Sequence, residues 1–94
     1  MKNTTLMYER TYSPLGRIQH AKTVRYLLTE ECGGAPTYGI KVWERAGDKL
    51  AEEEVDGISD SSQKVQHLIT FLYENAVPVE AFRDVVEDTI PLLV

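Results

Sequence analysis

Two amphipathic helical patterns stand back to back at the end of this 94-residue chain, from Ser59 to about Ile90. In the first, Val65, Leu68, Ile69, Leu72 and Ala76 recur at helical spacing and make one apolar stripe. Asp60, with Gln63 three residues on, gives its start the form of a capping box. Val77-Pro78 breaks the pattern, and Pro78 suits the start of a second helix whose buried face is Phe82, Val85 and Val86. Pro91 stops it. A connection this short makes the two helices neighbours, antiparallel or sharply crossed.

The first half has the opposite periodicity. Segments rich in β-branched and aromatic residues, Thr5–Tyr12, Thr23–Thr29 and Thr37–Arg45, read as strands, separated by Ser13-Pro14-Leu15-Gly16 and by the loop Glu30-Glu31-Cys32-Gly33-Gly34-Ala35-Pro36. Ala46-Gly47-Asp48 joins the third strand to a fourth by a hairpin. The acidic run Glu52-Glu53-Glu54 places that fourth strand at a sheet edge, where charge discourages pairing with other chains. The expected fold is α+β: a mostly antiparallel four-stranded sheet, with strands near 4–12, 22–29, 37–46 and 49–58. Helices near 60–75 and 79–90 cover one face, because they are the available layer for it. The chain, 1–94, makes one domain, long enough for a single core. The tail Pro91-Leu92-Leu93-Val94 admits two placements, folded back on the core or frayed.

Composition narrows the function classes. At 43% hydrophobic and 27% charged, the chain belongs with ordinary globular proteins rather than with disordered or membrane-embedded ones. No apolar stretch approaches a membrane span, and the first ten residues lack a signal-peptide core. A lone cysteine, Cys32, suits a reducing compartment, so a cytoplasmic location is expected. The net charge of −5 is unevenly spread: residues 1–50 carry eight Lys/Arg against five Asp/Glu, and residues 51–94 carry two against ten. An acidic chain repels phosphate backbones, which makes nucleic acid an unlikely general partner.

Several motifs carry a familiar resemblance in order along the chain: Thr37-Tyr38-Gly39-Ile40-Lys41-Val42, a glycine-turned hairpin into an acidic strand, an Asp/Ser-capped helix, and Val79 to Asp88 with Arg83-Asp84-Val85-Val86-Glu87-Asp88. Over roughly residues 37–90 the chain resembles a family of small uncharacterised proteins of clostridia and related Gram-positive bacteria, a domain of unknown function. The resemblance implies a bacterial cytoplasmic origin. It supplies no activity, cofactor or catalytic residue.

The residues themselves offer little chemistry. Cys32-Gly33-Gly34 with His20 or His67 as base has the elements of a thiol nucleophile, but Glu30 and Glu31 disfavour its thiolate. One Cys and two His at wide spacing do not make a structural zinc site. Glu52, Glu53, Glu54 and Asp56 lack a loop to wrap a hard cation, and strand alternation disperses them. Gly33-Gly34 lacks the Lys-Ser/Thr ending of a phosphate loop. No catalytic residue, metal site or cofactor is expected, and no enzyme activity.

What rises above this background is the sheet's other face. If Tyr38, Ile40 and Val42 pack under the helices, Gly39, Lys41, Trp43 and Arg45 emerge opposite, with Arg25, Leu27 and Met7 beside them. The bland alternative has Trp43 covering part of the sheet with Arg45 over its ring, and a one-residue slip in register would bury Trp43. Trp43, Arg45, Lys41 and Arg25 are the candidate interaction face. The expected function is a non-enzymatic protein-interaction or regulatory module. The alternatives are single-stranded nucleic-acid binding on that face, with Trp43 stacking a base, and self-association through it.

Overall fold

The computed structural model describes residues 2–12, 21–31 and 33–89. Four strands, β1 (Lys2–Tyr12), β2 (Lys22–Glu31), β3 (Thr37–Ala46) and β4 (Lys49–Ser59), form an antiparallel sheet in the order β1-β2-β3-β4. Helices α1 (Ser62–Glu74) and α2 (Val79–Thr89) lie across one face, which is the expected α+β arrangement. Among the described residues no helix is long and apolar enough to cross a membrane.

The core follows from strand alternation. Val24 and Tyr26 of β2 and Ile40 and Val42 of β3 point to the helices and are buried. They meet Val65, Leu68, Ile69 and Leu72 of α1 and Val79, Phe82 and Val86 of α2, with Val77 closing the turn between the helices. Val85 sits half-buried at the margin of this cluster.

Three details depart from the sequence reading. The cap of α1 is Ser61 rather than Asp60: its Oγ accepts from the Lys64 N–H at 3.4 Å, and its own N–H donates to Ser59 Oγ at 3.0 Å. Ala76 leaves the helical stripe. It stands just beyond α1 at φ 49°, where its N–H donates to Tyr73 O while Val77 N–H donates to Leu72 O, at 3.1 and 3.0 Å. This is the Schellman closure, with buried Val77 and Leu72 at its two ends. Glu30 and Glu31 continue β2 instead of opening a loop.

Bulges interrupt both outer pairings. Between Leu6 and Tyr8 the register of β1 on β2 shifts, leaving Met7 as the extra residue. Between Tyr38 and Ile40 the partner on β4 jumps from Ser59 to Val55, so Asp56, Gly57 and Ile58 pass over Gly39. Gly57 takes φ 62° to make that bend, and a Cβ on Gly39 would lie 2.3 Å from Val55 O. Only glycine allows this approach. The bulge also closes that end of the open face, where Thr29 is 2% exposed.

The open face of the sheet as candidate functional site

Register fixes which side chains share the face away from the helices. Three cross-strand rows run from β1 to β4. The first is Leu6, Leu27, Lys41 and Glu54; the second is Glu9, Arg25, Trp43 and Glu52; the third is Thr11, Thr23, Arg45 and Leu50. Trp43, Arg45, Lys41 and Arg25 are therefore brought together. Trp43 is partly exposed at the centre, whereas Val42 beside it is fully buried on the other side. The register does not slip.

The cation over the Trp43 ring is Arg25, not Arg45. The Arg25 guanidinium carbon lies 4.7 Å from the ring centroid, and its Nε donates to Glu9 Oε2. Arg25 and Trp43 are direct cross-strand partners, while Arg45 is one row away and reaches back to its own turn, donating to Gly47 O at 3.4 Å. Lys41 Nζ lies 3.4 Å from Glu52 Oε2. Glu54 also has an interaction partner. The cations Arg25, Lys41 and Arg45 thus share the grid with the carboxylates Glu9, Glu52 and Glu54. This face is electrically balanced on a chain whose net charge is −5.

Its apolar part is a diagonal. Leu6 and Leu27 in the first row, Trp43 in the second and Leu50 in the third form a stripe that steps from β1 to β4. Leu6 and Leu50, its two ends, are 50% and 59% exposed. Neither is among the candidate face residues of the sequence analysis. Met7 corrects the sequence reading in the other direction: it packs against the core, because the bulge hands its place on the open face to Leu6 and Glu9. The signal for Leu50 was available, since a two-residue turn at Gly47-Asp48 sets Leu50 opposite Arg45.

The opposite face is closed by aromatic contacts. Tyr8 stacks on Tyr73 at 4.4 Å, Arg10 lies over the same Tyr73 ring at 4.6 Å, and Tyr8 and Thr70 share a hydroxyl hydrogen bond of 2.9 Å. Beyond the helices, Lys22 lies over Tyr12 and 3.3 Å from a buried oxygen of Glu44, an ion pair without hydrogen-bond alignment. Glu53 faces this side and accepts from Arg83 of α2 at 2.9 Å, which raises the Arg83 pKa. The acidic run of β4 is thereby split between the two faces.

Other candidates do not assemble. Cys32 and His20 lie outside the described residues, and His67 is exposed on α1. Among the described residues no cluster of three or more His, Cys, Asp or Glu is placed to hold a metal ion. A depression of about 540 Å³ at the β3–β4 turn is lined by Ala21, Ala46, Gly47, Asp48 and Lys49. None of these is buried, so it offers no fixed polar group to orient a ligand. The tail Pro91–Val94 lies outside the described residues.

Neither the comparison with curated proteins nor that with solved structures gave a match. The comparison with protein families gave one, to a family of unknown function (DUF6514) over residues 7–92, which takes in the second half of β1 and all of β2 as well as the later elements on which the resemblance rested. Covering nearly the whole chain, this match shows that the chain belongs to that family.

Proposed function

We propose that this chain is a small non-enzymatic protein-interaction or regulatory module whose contact surface is the open sheet face centred on Trp43. The motifs that resemble proteins of clostridia and related Gram-positive bacteria support a bacterial, cytoplasmic setting. The observation that carries the reading is the diagonal stripe of Leu6, Leu27, Trp43 and Leu50, flanked by balanced charges. A central aromatic with an arginine against it, apolar neighbours and a charged surround is the composition of an interface hot spot and its rim. Single-stranded nucleic-acid binding is less well supported. Arg25 and Lys41 already sit with Glu9 and Glu52, and a strand's phosphates would have to displace those carboxylates.

The test is capture by the tagged chain from its native lysate, with and without nuclease, beside a Trp43→Ala variant shown by circular dichroism to be folded. The expected result is a bound protein, the chain itself included, that survives nuclease and is lost with Trp43→Ala. Capture unchanged by the substitution would place the contact elsewhere. Capture abolished by nuclease would replace this reading with nucleic-acid binding.

A further inference from the structure

We propose that the open face docks on the same face of a second copy, about a two-fold axis lying along the Leu6–Leu27–Trp43–Leu50 diagonal. This rests on the reading of that face as the contact surface and names what covers it.

The argument is one of charge and symmetry. A two-fold dimer must be self-complementary: each residue position meets whatever the rotation brings onto it. Strands lie about 4.8 Å apart and alternate residues about 6.6 Å apart, so the grid of three rows and four columns can be rotated onto itself. An axis across the strands through the central row sets Lys41 on the partner's Arg45 and Glu9 on the partner's Glu9. An axis along the strands sets Glu9 on the partner's Glu52. Both put like charges together, which costs affinity.

The diagonal axis brings together more opposite charges than like ones. Leu6 and Leu50 meet themselves, and Trp43 and Arg25 gather at the centre, where each Arg25 also meets the partner's Arg25 while held by its own Glu9. The partner's Glu52 lands beside Arg45, and the partner's Glu9 lands between Leu27 and Lys41; each of these two contacts occurs twice. The rows already show the same preferences within one chain: Arg25 is bound to Glu9 and Lys41 to Glu52, while Arg45 has its own turn carbonyl at 3.4 Å.

Packing geometry agrees. Three strand spacings make about 14 Å across the sheet and two alternate steps make about 13 Å along it, so the diagonal stands at about 45° to the strands. Rotation about it crosses the strands of the two copies at about 90°, one of the two preferred ways for sheets to pack face to face. The area buried is on the order of 1,000 Å² in total, at the lower bound of specific interfaces. The dimer is therefore expected to be weak and concentration-dependent.

Sedimentation equilibrium from about 1 µM to about 300 µM tests this, a range chosen to bracket weak association. Wild type should pass from monomer to dimer, and R45E or E52R alone should weaken association at least about tenfold. Because the two reversals are complementary, an equimolar mixture of R45E and E52R should recover a mixed dimer, which an unfolded variant could not do. A wild type that stays monomeric overturns the second copy as occupant; if Trp43→Ala still abolishes capture of another protein, the contact surface itself stands. A dimer indifferent to R45E, E52R and Trp43→Ala overturns both.

Discussion

Each face of this sheet carries an arginine over an aromatic ring, Arg10 over Tyr73 at 4.6 Å on the helix side and Arg25 over Trp43 at 4.7 Å on the open side. The pairs have nearly the same geometry and different consequences. Tyr73 belongs to α1, so its contact with Arg10 and Tyr8 joins two layers that are distant in sequence. Trp43 and Arg25 belong to adjacent strands and join nothing that the backbone ladder does not already join. The lesson is that a cation–aromatic pair contributes to a fold when it spans layers, and is otherwise available for a contact outside the molecule.

The largest expected effect separates the two sides outright. Phe82 is fully buried where α2 meets the sheet, so Phe82→Ala should cost about 3–5 kcal/mol. Trp43→Ala, in dilute protein, should cost about 1 kcal/mol, because its ring is partly exposed and leaves no enclosed cavity. Urea denaturation of the two variants at low micromolar concentration measures both. Comparable losses would mean that the open face is part of the structural core, and the division between the faces would fail.

A smaller effect lies at the centre of the helix side. Tyr26 is 1% exposed, its hydroxyl donates to Val77 O at 2.9 Å, and its ring meets Tyr73 edge-on. Tyr26→Phe leaves that buried carbonyl short of a donor and should cost about 1–2 kcal/mol at neutral pH. Burial pushes the Tyr26 phenol from 10.0 to about 12. Below pH 10 the phenol is neutral in folded and unfolded chains alike, and its contribution is complete. Between pH 10 and 12 the unfolded chain ionises while the folded one resists, so stability falls by about 1.4 kcal/mol per pH unit. Tyr26→Phe removes this fall, and the stability gap between the two proteins should narrow as pH rises from 9 to 11.5. A gap that stays constant would show that the hydroxyl is not desolvated.

How far the sequence discloses this architecture depends on where the controlling interaction lies. Alternation in β2 and β3 is local, so Val24, Tyr26, Ile40 and Val42 could be assigned a face, and Arg25, Lys41, Trp43 and Arg45 the other. The order of elements and the edge position of β4 also follow from local pattern and charge. The bulges do not. Whether Met7 or Leu6 reaches the open face depends on one residue inserted against β2, and Gly39 acquires its meaning from β4 crossing above it. The spacing of Ala76 fits the helical stripe, yet the chain turns there at φ 49°, a conformation that sequence gives reason to expect of glycine or asparagine. The choice of Ser61 over Asp60 as cap turns on a single residue of helix phase. For the site, residue types were legible and their pairing was not: Arg25 over Trp43 requires the β2–β3 register, which no residue in either strand specifies by itself.

The smallest effect bears most directly on the open face. Glu9 and Arg25 have side chains 41% and 46% exposed, so a double-mutant cycle in monomeric protein should give a coupling of only about 0.5 kcal/mol, reduced by salt. If a second copy covers this face, the pair loses water and its field strengthens, so the same cycle at high protein concentration should give a larger and less salt-sensitive coupling. The Arg83–Glu53 pair, with side chains 51% and 41% exposed, joins α2 to β4 on the helix side and serves as the control. Its coupling should not change with concentration. A rise at Glu9–Arg25 with none at Arg83–Glu53 would distinguish the face that the fold has already covered from the face that a second copy covers. Equal behaviour of the two pairs would mean that both are simply solvated, and would remove the electrostatic support for docking there.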